Sequence, residues 1–327
     1  MGRGPLLASL VLLVCLLGCG PGSAPQPDNP LTGETLWVDP QSAPAQAEQQ
    51  LRRDGANADA DTLHAISSQP VATWLVDDDP RTATQRVVQQ AEVLDQLPVL
   101  VLYHRPGRDC GSYSAGGAAE QSSYLSWVGA VSDAIGDRRA LVIVEPDAIP
   151  QAVSGQCSVD GRPDATYAML SAAVSDLADN PGTVVYLDAG HPGWITDTDA
   201  LADALRRSGV EQAAGFSLNV SNFVSTDDNQ SYGDRISAAL EDVQYVVDVS
   251  RNGRGAPDAD PGSVEAWCNP PSAALGENPH LGPQRARAVA FLWIKEPGAS
   301  DGSCRPGEPP AGEFWVDSAL RLIRQRP

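Results

Sequence analysis

Short apolar runs recur along the chain at intervals filled by amphipathic stretches. The runs are VATWLV (71–76), PVLVLY (98–103), LVIVE (141–145), TVVYLD (183–188), GFSLNV (215–220), YVVDV (245–249) and VAFLWI (289–294). In AEQSSYLSWVGAVSDAIGD, Tyr124, Val128, Val131 and Ile135 share one helical face, as do Val87, Ala91 and Leu94 in TATQRVVQQAEVLDQL. Near-continuous apolar strands alternating with helices predict an α/β fold. Its parallel sheet is either covered on both faces or closed into a barrel, and seven strands favour a TIM-like barrel.

Each run ends on polar residues: Asp77 to Asp79, Arg108-Asp109, Glu145-Asp147, Asp188-His191, Asn219-Asn222, Asp248-Arg251 and Lys295-Asp301. A parallel barrel builds its active site from the loops at that end of the strands. Polar residues at every strand mouth therefore predict a polar cleft of carbohydrate size.

Composition narrows the partners. The 327 residues carry a formal net charge of −20, which argues against binding nucleic acid or an anionic membrane surface. Of the 22 basic residues one is lysine, Lys295. Arg3 and the apolar run Leu6 to Leu17, too short to span a bilayer, predict an export signal over residues 1–18. LLGC, ending at Cys19, resembles a lipobox and makes Cys19 a candidate lipidation site. Residues 19–28 form a Pro/Gly tether, and residues 29–327 show neither an internal repeat nor a linker long enough to divide them. The expected location is extracellular or on the cell surface, with lipid at Cys19 as the sole membrane contact. Outside the signal and Cys19, Cys110, Cys157, Cys268 and Cys304 predict two disulfides, with three pairings open. The scattered histidines and cysteines form no metal motif, and nothing calls for a cofactor.

The candidate chemistry lies in two carboxylates. In LVIVEPDAIP, Asp147 leaves an apolar strand between Pro146 and Pro150, so it is partly desolvated and suited to act as a general acid. Asp109, on the neighbouring strand, faces the same cleft. Two carboxylates in opposed environments are the equipment of glycoside hydrolysis. Trp74, Trp194 and Trp267 are expected at or beyond strand ends, where indole rings stack on sugars. Trp127 and Trp293 are expected in the core. GASDG (298–302) matches a serine-hydrolase elbow, but the proline-rich segment behind it cannot begin the helix which that elbow requires.

VLYHRPGRDCGSYSAGG and LVIVEPDAIP resemble the two signatures of glycoside hydrolase family 6, the inverting cellulases. YLDAGHPGW, EAWCNP and FLWIKEPGASDGSC resemble three further blocks of that family, in order. The resemblance runs from about Asn29 to the C-terminus and implies a catalytic domain over 29–327, folded as a distorted barrel of about seven parallel strands. It implies Asp147 as general acid. Asp109 would raise the acid's pKa and help activate water, Asp301 would be a second candidate base, and Tyr103 would lie beneath the sugar at the cleavage point. Asp188, His191, Trp194, Trp74, Asn222, Trp267 and Lys295 would bind sugar, and the disulfides would be Cys110–Cys157 and Cys268–Cys304. On this reading Arg108 holds a carboxylate, Cys110 pins a strand end, and GSYSAGG closes over substrate.

The chain departs from the family pattern at Ala299, where a sugar-binding glutamate is usual. At Asp197 exo-acting members often have a tryptophan. With short loops and no recognisable cellulose-binding module, these features favour an endo-acting enzyme on β-glucan, and a monomer is expected. An exo-acting cellobiohydrolase and a non-catalytic carbohydrate-binding lipoprotein are the alternatives.

Overall fold

The computed structural model describes residues 1–2, 28–260, 263–283 and 286–327. The candidate lipidation site Cys19, most of the export signal and nearly all of the tether lie outside the described residues. The strands are β1 (Thr73–Leu75), β2 (Val99–Leu102), β3 (Ala140–Val144), β4 (Thr183–Asp188), β5 (Gly215–Leu218), β6 (Gln244–Asp248), β7 (His280–Leu281) and β8 (Ala288–Leu292). The helices are α1 (Ala43–Arg53), α2 (Asn57–Ser67), α3 (Arg81–Val93), α4 (Gln121–Ile135), α5 (Ala148–Val153), α6 (Pro163–Ala178), α7 (Thr198–Arg207), α8 (Thr226–Ala239), α9 (Val264–Trp267) and α10 (Val316–Arg324). None of the described helices is long and apolar enough to cross a membrane.

All seven apolar runs become strands of one curled sheet, ordered β1-β2-β3-β4-β5-β6-β8-β7. Its pairings are parallel except for the two-residue β7 against β8. Side chains alternate across it. Val99, Val101, Leu141, Ile143, Val246 and Leu292 fill the inside, while Leu100, Leu102, Val142, Val144 and Val247 pack outward on the helices. Both faces are therefore dry, which is why the strands read as unbroken apolar runs.

The sheet curls into a half-barrel, the distorted, mostly parallel α/β barrel expected. Among the described residues no ladder joins β1 to β8. At that seam Ala72 N–H donates to the Trp293 carbonyl (3.0 Å), and the Trp74 indole N–H donates to the Ile294 carbonyl (2.8 Å).

Helix ends follow local chemistry. Glu120 and Ser123 form a capping box on α4, which stops at Gly136 with φ +58°. Tyr124, Val128, Val131 and Ile135 are buried on α4, and Val87 and Ala91 on α3, as the periodicity predicts. Leu94 differs: it caps α3 and is 58% exposed, because Asp95 turns the chain away at φ +54°.

Candidate active site

The strand mouths hold unusual backbone. Asp109 (φ +55°), Cys110 (+50°), Glu145 (+48°), Asp147 (+73°), Asn219 (+65°) and Ser221 (+59°) all adopt left-handed conformations. Such residues each cost about 1–3 kcal/mol and persist where the surroundings hold them. Gly117, at φ +88°, closes the 105–117 loop so tightly that a Cβ would lie 2.1 Å from the Arg105 carbonyl.

Asp147 stands at the start of α5, where its amide donates to Asp188 Oδ2 (2.8 Å). Burial pushes its carboxyl up to about 7, helped by the charge of Asp109 and opposed by Arg105 and Lys295. Burial also raises Asp109, against the pull of the Ser114 amide (2.7 Å) and of Arg105, Arg108 and Lys295. Both carboxylates line a cavity of about 480 Å3, together with Trp74, Tyr103, His191, Trp194, Asn222, Trp267, Lys295 and Asp301. A second cavity of about 510 Å3 shares Trp74, Tyr103, Ser114 and Lys295 with it, so the two form one continuous cleft.

Tyr103 is buried, edge-on to Trp74 (centroids 5.3 Å apart) and beneath the Arg108 guanidinium (5.2 Å). Burial and the charges of Asp147, Asp109 and Glu145 push its hydroxyl far up, so it stays a phenol. Burial likewise lowers His191 to about 4, leaving a neutral ring against Trp194.

Asp301 has the opposite setting. Arg251 Nη1 (2.8 Å) and the Asn269 amide (2.9 Å) donate to its Oδ2, and Lys295 Nζ lies 3.5 Å from Oδ1. Burial pushes this carboxyl up, but Arg251 and Lys295 outweigh it and hold it below its ordinary value.

The disulfides present are Cys110–Cys157 and Cys268–Cys304. The first holds the Asp109 loop and the second holds the Trp267 loop against the Asp301 loop. Ser300 is buried and donates to the Pro309 carbonyl (2.8 Å), leaving no nucleophile at GASDG.

A cleft lined by two carboxylates and three half-buried indoles sits on a fold that comparison resolves. Residues 31–326 match the model of the glycosyl hydrolases family 6. The chain belongs to this family. Endoglucanase A of Cellulomonas fimi is 38% identical over 293 residues, covering 88% of this chain and 61% of that one. Endoglucanase 1 of Streptomyces halstedii is 35% identical, covering 97% of each chain. Among solved structures, the Mycobacterium tuberculosis endoglucanase in complex with methyl-cellobiosyl-4-deoxy-4-thio-β-D-cellobioside aligns with a TM-score of 0.83. It is 40% identical, covering 91% of this chain and 99% of that one.

Three expectations change in this family 6 glycoside hydrolase. Asp188 does not reach the cleft: it is 1% exposed, lies beneath Asp147, and contacts its amide and the Ser217 hydroxyl (3.3 Å). Arg108 pairs with no carboxylate among the described residues. It donates instead to the carbonyls of Tyr103 (2.8 Å), Ser114 (2.8 Å) and Ala115 (3.1 Å), so it shapes the loop. Trp267 closes the short helix α9 and does not follow a strand; it meets Tyr113 at 5.8 Å.

Sequence reasoning passed over several residues that matter here. Asp248 is buried and accepts from the amides of Ser221 (3.0 Å), Ser250 (2.9 Å) and Lys295 (2.9 Å), tying three loops together. Arg251 clamps Asp301. Gln151 holds the buried Arg105. Asp248 and Arg251 lie in a polar strand mouth that showed their type but not their direction, whereas Gln151, inside α5, gave no such signal.

Proposed function

We propose that this chain hydrolyses internal β-1,4-glucosidic bonds of cellulose or a related β-glucan with inversion, as an endoglucanase. The observation that carries the mechanism is that Asp147 and Asp109 line one cleft, where burial and then the charge of Asp109 push the Asp147 carboxyl up to about 7. Near neutrality it holds a proton that an ordinary aspartate has lost, and it gives that proton to the departing glycosidic oxygen. Asp188 keeps the acid in place by accepting its amide. Its own carboxyl is pushed up to about 8 by burial and then by Asp147, so the pair resists losing both protons.

Asp109 polarises the attacking water from the opposite side of the sugar ring, directly or through a relay. Asp301 is a poor base: Arg251, Lys295 and Asn269 already occupy its oxygens, and its lowered pKa weakens its hold on a proton. Its task is to fix Lys295 against substrate. Tyr103 and Trp74 floor the cleavage point, and Trp194, Trp267, His191 and Asn222 hold neighbouring sugars.

Endo action is supported by the continuous cleft and by the names of the relatives. Viscosity loss of carboxymethylcellulose, measured against reducing ends released, tests it. An endo enzyme collapses viscosity early, an exo enzyme hardly lowers it, and a non-catalytic binder changes neither. Export with lipid on Cys19 completes the proposal; Cys19→Ala should then release active protein from the membrane fraction.

A further inference from the structure

Glu296 follows Lys295 beyond the mouth of β8 and has no part in the chemistry above. It is partly buried and lines the 510 Å3 half of the cleft, with Asp39, Arg86, Trp74, Tyr103 and Lys295 around it. Asp39, the other carboxylate in this half, is already engaged. Arg86 grips both its oxygens (3.2 and 2.9 Å), and the Gln41 amide adds a third bond (2.8 Å). The Glu296 carboxylate receives no hydrogen bond or ion pair from any described residue. A carboxylate that opens on a cavity with no protein donor keeps its acceptor capacity for whatever fills that cavity. Ala299 lines the same half and contributes only a methyl where the family pattern has glutamate.

We infer that Glu296 accepts hydrogen bonds from adjacent equatorial hydroxyls of a glucosyl unit seated against Trp74, across Tyr103 from Asp147. This deepens the glucanase reading and rests on it. Glu296 is then a positioning and specificity residue for that unit, and only substrates long enough to reach it gain from it. The charged groups around it are Lys295 beside it, Asp39 paired with Arg86 across the cavity, and Arg108 on the loop wall. Burial pushes its carboxyl up to about 7, opposed by Lys295 and assisted by Asp39. The ionised form, with more acceptor capacity, therefore gains as pH rises through neutrality.

The test is kinetics on cello-oligosaccharides of four to six units with wild type, Glu296→Gln and Glu296→Ala, from pH 5.5 to 8. The alanine variant should raise KM roughly tenfold for the longer substrates, with a smaller effect on kcat. Glutamine, which keeps one acceptor, should recover part of the loss. Wild-type KM for those substrates should fall as pH rises through about 7, and both variants should lose that slope. Unchanged KM in both variants at every length and pH, in an enzyme that still cleaves β-1,4 bonds, overturns the inference alone. Wild type that cleaves none of these substrates overturns the glucanase reading and this inference with it.

Discussion

Asp147 and Asp301 both follow apolar strands, and both are removed from bulk water, yet they sit on opposite sides of the ordinary carboxylate pKa. The difference is what faces them. Asp147 meets another carboxylate, Asp109, whereas Asp301 meets Arg251 and Lys295. Loss of a general acid should show in the leaving group. Asp147→Ala is expected to slow cellulosic hydrolysis by roughly 10²–10⁴-fold while sparing dinitrophenyl glycosides, whose leaving group needs no proton. Asp109→Ala should damage both substrates, because water activation is lost as well. Equal damage from the two substitutions on the activated substrate would contradict Asp147 as the acid, and sparing by Asp109→Ala alone would reverse the roles. Asp301→Ala is expected to act on folding, since it leaves two buried cations without their anion. A cost of about 3–5 kcal/mol in denaturant unfolding is the expected scale. A loss below about 1 kcal/mol would place the pair in the weak class of solvent-screened ion pairs.

At the level of elements, two cross-links hold loops that the sheet cannot reach. Cys110 and Cys157 are 47 residues apart, and Cys268 and Cys304 are 36 apart. Closing loops of this length stabilises by roughly 3–4 kcal/mol each in the chain-entropy picture. Non-reducing peptide mapping should recover these two pairs, and serine at both ends of either should lower stability on that scale. A Cys110–Cys268 peptide would contradict the loop neighbours described.

The strands were legible in the sequence because both sheet faces are dry, so β2, β3 and β8 carry no polar interruption. Helical periodicity placed α4 and most of α3 for the same reason. The two-residue β7 has too short a pattern to read, and Leu94 was misplaced because the turn at Asp95 depends on backbone geometry. The site was legible as residue types at strand mouths and through its resemblance to a family. Depth was not legible. Asp188 below the floor, Arg108 turned toward carbonyls, and Glu296 facing open space all depend on how far a side chain lies from the cleft axis.

For the whole molecule, burying acids to build this cleft sets the pH response of stability. Burial is the first cause of the raised values of Glu145 (about 7), Asp147 (about 7) and Asp188 (about 8). Between the ordinary carboxylate range and these values, the folded chain keeps protons that the unfolded chain has released. Stability should therefore be greatest below about pH 4 as far as these groups are concerned, and should fall as pH rises toward 8. Glu145 is fully buried, with Oε1 accepting from the His104 amide (2.9 Å). Glu145→Gln removes one share of that fall, so its unfolding free energy should vary less between pH 5 and 8 than that of wild type. An unaltered slope would mean that Glu145 does not titrate in this window.

The central claim is that Asp147 protonates the departing oxygen while water, not a protein carboxylate, attacks from the other face. Inversion then follows from geometry. Proton NMR of the first sugar released from a β-1,4-linked oligosaccharide, recorded before mutarotation, reads this directly. The account predicts that the new reducing end appears as the α-anomer. Initial β-anomer would mean a covalent glycosyl-enzyme intermediate and would contradict the roles given to Asp147 and Asp109.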